Sequence, residues 1–308
     1  MIMVQDNGSS LRGELRFDEP MSRHTSWRTG GPVRRWYRPA DTQDLAEFLR
    51  TLPTSEALYW VGLGSNLLVR DGGIAGTVIS TYGAFPDLLQ PEPLRVRAGA
   101  GVACAKVARF CAARGLTGGE FLVGVPGTIG GALAMNAGAF GGSTWEQVVE
   151  VETMDRFGAR HTRLPAEYQV GYRQVDGPGN EWFTAACLQF ESGDSTKSQF
   201  KIKELLAQRG RTQPTQQASC GSVFRNPPGD YAARLIESAG LKGSCIGGAC
   251  VSEMHANFIV NTGDATSEEI EALIHKVQRE VERRRGVRLE LEVHIVGEHS
   301  PATASVLQ

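Results

Sequence analysis

The stretch GVPGTIGGALAMNAGAFG, Gly124 to Gly141, lies inside an uncharged run from Phe121 to Trp145 that is long enough to span a bilayer. Seven glycines, Pro126 and Asn136 make that run a poor continuous helix. It therefore reads as a buried glycine-rich turn region and not as a membrane segment. Pro126 and Gly127 fix a turn, and Gly130 and Gly131 remove side chains that would block close approach. Such a segment suits a cradle for a flat ligand or a diphosphate, or else tight packing of backbone on backbone.

A second stretch of the same character, GLGSNLLVRDGG, runs from Gly62 to Gly73 after the strand-like LYWVG. A glycine turn after a strand leaves backbone N–H groups free to converge on an anion such as a pyrophosphate. The alternative is a tight turn in which Ser65 and Asn66 satisfy local backbone. It is not a Rossmann fingerprint, because Leu67 occupies the place of the third glycine. Two such loops in one chain point to a dinucleotide. Neither carries a lysine in the P-loop position, which argues against phosphoryl transfer.

The 308 residues suffice for two or three units with cores of their own. With 41% apolar and 21% charged residues the composition is that of an ordinary soluble protein. The 37 glycines exceed the usual share of ~7%. A formal charge of -2 argues against a nucleic-acid partner. The basic run ERRRG, Glu282 to Gly286, reads as a helix C-terminus closed by glycine. Cys104, Cys111, Cys187, Cys220, Cys245 and Cys250 form no C-x-x-C pair. With no export signal at the N-terminus, they read as buried thiols of a reducing compartment. The histidines show no metal-binding spacing, so no metal is expected.

Short strands and helices alternate, as in a mixed α and β protein. LYWVG, TVIST (Thr77 to Thr81), VVEVETM (Val148 to Met154) and TAACLQF (Thr184 to Phe190) read as strands. VACAKVARFCAARG has helical spacing and ends on Gly115. A polar break, ESGDSTKSQ, opens a helix running to Gly210, with a unit boundary near residue 200. Beyond it, DYAARLIESAG reads as a helix capped by Asp230, NFIVN as a strand, and Thr266 with Glu269 as the capping box of a long helix to Gly286. The closing LELEVHIVG reads as a strand with Leu289, Leu291, Val293 and Ile295 on one face. Glu290, Glu292 and His294 then share the other.

Ser222 stands in SCGSVFRNP, Ser219 to Pro227. The nucleophile-elbow pattern fails, since Cys220 and Phe224 hold the glycine positions. A turn serine is most often a cap or a backbone partner. The other option is a proton donor whose alkoxide is stabilised by nearby donors. In EYQVGYRQ, Glu167 to Gln174, Arg173 beside Tyr172 has the fork geometry to hold a carboxylate.

In their order, GLGSNLLV, GVPGTIGGALAMNAGAFG, YR, GSVFRNP, GLKGSCIGGACVS with HANFIVN, and LELEVHIVG resemble the UDP-N-acetylenolpyruvoylglucosamine reductase (UDP-N-acetylmuramate dehydrogenase) family from about His24 to Gly297. The resemblance implies an α+β fold. A two-part FAD-binding domain of the vanillyl-alcohol-oxidase (PCMH) type would be followed by a C-terminal α/β substrate-binding domain. The units would be residues 1–82 and 83–200 for FAD, 201–297 for substrate, and a tail at 298–308. It implies non-covalent FAD, with NADPH as co-substrate. The reaction implied is reduction of UDP-N-acetylglucosamine enolpyruvate to UDP-N-acetylmuramate for peptidoglycan precursor synthesis in the cytoplasm. Hydride would come from flavin N5, and a serine would then protonate the enolate.

The family's arginine, proton donor and acidic residue match Arg173, Ser222 and Glu292. The resemblance places Gly62, Gly64, Ser65, Asn66, Leu67, Gly124, Pro126, Gly127, Thr128, Gly130, Gly131, Asn136 and Gly138 around the FAD. Tyr172, Arg211, Arg225 and Asn226 are the expected substrate contacts. Only QVDGPGNEW separates Arg173 from the next strand, so the chain is similar to the shorter subclass without a tyrosine-bearing loop. The partner implied is a UDP-sugar, with no nucleic acid, membrane or obligate protein partner. Two other readings are another FAD-dependent oxidoreductase of the same fold and a non-catalytic nucleotide-binding module. Shared fold does not fix substrate.

Overall fold

Strand-forming residues at both ends of the first 80 positions build one sheet, and the computed structural model describes residues 11–300 of the chain. The N-terminal ten residues, where no export signal is expected, and the tail beyond 300 lie outside the described residues. The first sheet has the order Glu14–Pro20, Pro32–Arg38, Ile74–Ser80, Leu58–Val61. Its first pair is antiparallel and the others are parallel. Helix α1, Thr42–Thr51, starts where the Asp41 side chain accepts the Asp44 N–H. It buries Leu45, Phe48 and Leu49 against Tyr37 and Ile79 of the sheet.

The second unit is a five-stranded antiparallel sheet ordered Arg160–Arg163, Val148–Asp155, Glu181–Gln189, Arg95–Gly99, Leu88–Glu92. Helices α2 (Cys104–Ala113), α3 (Ile129–Ala134) and α4 (Ser195–Thr212) pack on it. Gly115 ends α2 at φ +68°, a conformation glycine adopts without steric cost. The uncharged 121–145 run lies in this core, with Phe121, Leu122, Ile129, Leu133 and Trp145 buried. Among the described residues no helix is long and apolar enough to cross a membrane.

The third unit has the antiparallel sheet order Ala218–Ser219, Ile259–Asn261, Ala249–Val251, Cys245–Ile246. Helices α5 (Ala232–Ser238) and α6 (Ser267–Arg285) cover one face of it. The Thr266–Glu269 capping box forms, and Gly286 closes α6 in the left-handed region. This unit is bolted to the first. Trp27, fully buried in its core, donates its indole N–H to Ile259 O at 2.7 Å. Arg70 grips Glu271 of α6 with two bonds, and Asp71 accepts the Ser267 and Glu268 N–H groups.

Four local expectations change. The boundary near 200 falls inside α4, whose Ile202 and Leu205 complete the second core, so the chain leaves that unit after Thr212. Asp230 does not cap α5. It bonds Arg234 instead, and Asn226 Oδ1 accepts the Ala232 N–H. Of LELEVHIVG only His294–Val296 pairs as a regular strand, because its partner strand Leu67–Val69 is equally short. Finally, Cys245 and Cys250 are a disulfide and not two thiols. The tight Gly247–Gly248 turn sets them directly opposite in the hairpin register, a geometry that a search for C-x-x-C does not detect. Cys104, Cys111 and Cys220 are free and buried, and burial raises their thiol pKa.

Candidate active site

The two glycine-rich segments face each other. A Cβ placed on Gly62 would lie 2.4 Å from Thr128 Oγ1, and one on Gly127 would lie 3.4 Å from Ser65 Oγ. Between them the Thr128 hydroxyl is buried and has no hydrogen-bond partner. A buried hydroxyl without a partner costs stability unless a ligand takes it up. Bare backbone on both sides and an orphaned hydroxyl in the middle fit the phosphate-bearing part of a dinucleotide, and Gly62, Ser65, Gly127, Thr128 and Gly131 would hold it.

Not every glycine in these segments serves that cleft. Gly130 and Ile129 spend their N–H groups on Ala100 O and Val102 O, and a Cβ on Gly130 would meet Ala100. Gly124 is covered by the Phe140 ring, and Gly138 packs on Gly142 O. Gly64, at φ +60°, lies against His24 O. At these positions the packing explanation holds. Pro126 and Ser65 line a cavity of about 310 Å³ that continues to Ser219 and Gly221.

Asn66 links this cleft to the Glu292 segment. Its side-chain amide donates to Glu292 O at 3.0 Å, and its carbonyl accepts the His294 N–H at 3.0 Å. The next residue, Leu67, pairs with His294 across the parallel strands. The first glycine loop therefore fixes the segment that carries Glu292. On the other side of that segment Val223 O accepts the Glu292 N–H at 2.8 Å, and Phe224 pairs with Leu291. Ser222 is thus one residue from a backbone contact with Glu292. Gly221 before it sits at φ +80°, a conformation that glycine adopts without steric cost. Among the described residues no protein group bonds the Ser222 hydroxyl, so it caps nothing and is half-buried.

Arg173 arrives from the second unit. It sits at the tip of the hairpin Gln169–Gly171 with Gln174–Asp176, at φ +56°. Its Nε donates to Glu292 Oε1 at 2.8 Å, with the side chains only 19% and 13% exposed. Its Nη groups donate to Asn136 O and Gly138 O. Asn136, itself at φ +40°, clamps the hairpin, accepting the Trp145 N–H and donating to Gly171 O. The side chains of Asn66 and Asn136 are therefore engaged by protein. Burial raises the Glu292 pKa, against the opposing charges of Arg173 and Arg225.

The expected substrate contacts divide. Tyr172 is exposed, with the Arg173 guanidinium 5.3 Å from its ring. Asn226 caps α5, and Arg225 donates to Arg173 O at 3.3 Å. Arg211 is exposed and does not line the cavity. Arg209 does, together with Arg28, and among the described residues neither has a carboxylate partner. Arg209 donates only to Gln213 Oε1. The sequence signal for it is no stronger than for its neighbours, because both arginines sit in the last turn of α4.

Residues 34–162 match the FAD binding domain family, and residues 213–296 match the UDP-N-acetylenolpyruvoylglucosamine reductase C-terminal domain. A UDP-N-acetylenolpyruvoylglucosamine reductase of Alkalilimnicola ehrlichii is 62% identical over 93% of this chain and 96% of its own length. One of Methylococcus capsulatus is 58% identical over 93% and 94%. The crystal structure of UDP-N-acetylenolpyruvylglucosamine reductase from Thermus caldophilus superposes with a TM-score of 0.79 at 31% identity, covering 92% of this chain and 99% of that one. With these likenesses running through both the glycine cleft and the segments of Ser222 and Glu292, the chain belongs to the UDP-N-acetylenolpyruvoylglucosamine reductase family.

Proposed function

We propose that the chain catalyses the NADPH-consuming, FAD-dependent reduction of UDP-N-acetylglucosamine enolpyruvate to UDP-N-acetylmuramate, a cytoplasmic step, with Arg173, Glu292 and Ser222 acting on the acceptor. Gly62, Ser65, Gly127, Thr128 and Gly131 would hold FAD non-covalently, and the cofactor, once reduced by NADPH, would supply hydride to the enol ether. Addition of hydride to the methylene carbon leaves negative charge on the neighbouring carbon and its carboxylate. Arg173 offers a fixed positive charge for that enolate, and its three bonds keep the guanidinium from turning away. Glu292 orients Arg173, and its raised pKa favours a proton that it can share with the same carboxylate. The Ser222 hydroxyl, free of protein partners, gives its proton to the carbon. Arg209 and Arg28 are the cations left to meet the substrate diphosphate.

The single observation that carries this reading is the Arg173–Glu292 contact formed one residue from Ser222, beside the paired glycine loops. The test uses purified holoenzyme without air. NADPH should bleach the flavin, and the enolpyruvyl UDP-sugar should restore its absorbance. A flavin that NADPH reduces but this substrate fails to reoxidise would assign the chain to a different acceptor.

A further inference from the structure

Arg173 holds a conformation that costs an ordinary residue about 1–2 kcal/mol. It does so on an exposed hairpin, where Gly171, Tyr172 and Gln174 face solvent. The hairpin itself has only three residue pairs. Such a tip needs outside support to keep its guanidinium on Glu292. Asn136 supplies one support through Gly171 O. The Arg173 Nη bonds to Asn136 O and Gly138 O hold the guanidinium itself, and a further support, on the Arg173 backbone, comes from Arg225.

Arg225 is anchored by its own backbone, whose N–H donates to Glu290 O at 2.9 Å in the Glu292 segment. Its Nη2 reaches across to Arg173 O at 3.3 Å. Among the described residues it forms no carboxylate ion pair, and its Nε is buried without a partner. It is therefore not a solvated surface cation. Through its backbone and its side chain together, this one residue of the Ser222 segment reaches both the Glu292 segment and the Arg173 backbone.

We propose that Arg225 is a positioning residue that acts through Arg173, fixing the hairpin tip on the Glu292 segment so that the two charged groups stay aimed at the acceptor. The proposal rests on the reading of Arg173 as the group that stabilises the enolate. The charge of Arg225 is felt by its neighbours Glu292 and His294. It adds to burial in lowering the His294 pKa and opposes burial at Glu292.

The experiment compares Arg225→Met, Arg225→Lys, Arg173→Ala and the double variant Arg225→Met/Arg173→Ala as FAD-loaded enzymes. A displaced guanidinium loses about 10- to 100-fold in rate. Arg225→Met should therefore slow reoxidation by the enolpyruvyl substrate by that factor and leave flavin reduction by NADPH within about twofold. Arg225→Lys, which keeps a charge and one donor, should recover most of the loss. In the Arg173→Ala background Arg225→Met should add nothing, because non-additivity marks residues that act as one unit. Hydrogen exchange in residues 169–176 should rise about five- to tenfold in Arg225→Met, the equivalent of one hydrogen bond.

Full additivity in the double variant would overturn the proposal. So would a raised KM with unchanged kcat, which marks direct substrate binding. Unchanged exchange in the hairpin would also overturn it, without touching the role of Arg173. If Arg173→Ala alone left reoxidation intact, the reading of Arg173 would fall first. The exchange measurement would then still decide whether Arg225 holds the hairpin.

Discussion

Replacing Arg173 by alanine removes the one cation that, among the described residues, is bonded to Glu292. Two unit charges about 4 Å apart attract by about 4 kcal/mol at an effective dielectric of about 20. An enolate forming beside Arg173 loses that stabilisation, and loss of a single preorganised donor costs about 10²–10³ in rate. Reoxidation of the reduced flavin by the enolpyruvyl substrate should therefore slow by about 10²–10³ in Arg173→Ala. Reduction by NADPH, which needs no enolate, should stay near the parent rate.

Stability should follow a different rule. Alanine at φ +56° keeps the backbone strain, and glycine relieves it by about 1 kcal/mol. Arg173→Gly should thus be more stable than Arg173→Ala and equally defective in reoxidation. The assay mixes anaerobic, NADPH-reduced enzyme with substrate in a stopped-flow cell and follows the return of oxidised-flavin absorbance. Urea melts give the stability difference. Reoxidation within tenfold of the parent enzyme in both variants would refute the charge argument.

Ser222→Ala should leave reduction by NADPH intact and slow reoxidation by about 10²–10⁴, the contribution of a positioned proton donor; the same stopped-flow traces give both rates. Gly62→Ala places a methyl 2.4 Å from Thr128 Oγ1, so the purified protein should carry less flavin per chain while keeping its fold, as read by absorbance ratio and circular dichroism. Glu292→Gln should change the pH dependence of folding. Burial raises the folded-state pKa above the ordinary 4.5, so the unfolded chain releases its proton first as pH rises. The parent protein should lose stability relative to Glu292→Gln from pH 4.5 upward until the folded-state pKa is passed. Denaturant melts across that range would show the opposite slope if the Arg173 contact outweighed burial.

Much of the fold is legible in the order of residues alone. Strands such as Val148–Asp155 and Glu181–Gln189 announce themselves by β-branched and apolar runs. Helix α6 carries its own start and stop, Thr266 with Glu269 and then Gly286. Local chemistry sets these elements, and local chemistry is written in consecutive residues. Arg173, Ser222 and Glu292 stood out as candidates only through the resemblance of the motif order to a known family.

What the sequence could not divide was the work among similar residues. Gly62 and Gly127 face the cleft, whereas Gly124 and Gly130 only make room for Phe140 and Ala100. Asn66 and Asn136, expected at the cofactor, spend their side-chain amides on Glu292 O and Gly171 O. Arg209 lines the cavity, while Arg211 in the same helix end does not. The pairing of Cys245 with Cys250 likewise follows from hairpin register. Each of these outcomes depends on which partner arrives from a distant part of the chain. Arg173 meets Glu292 across a separation of 119 positions, and Asn66 meets the same residue across 226. The sequence by itself determined which groups are present and which short elements they stand on. Only the tertiary structure decided which of them touch, because hydrogen bonds and charges act over a few ångströms and sequence separation says nothing about that distance.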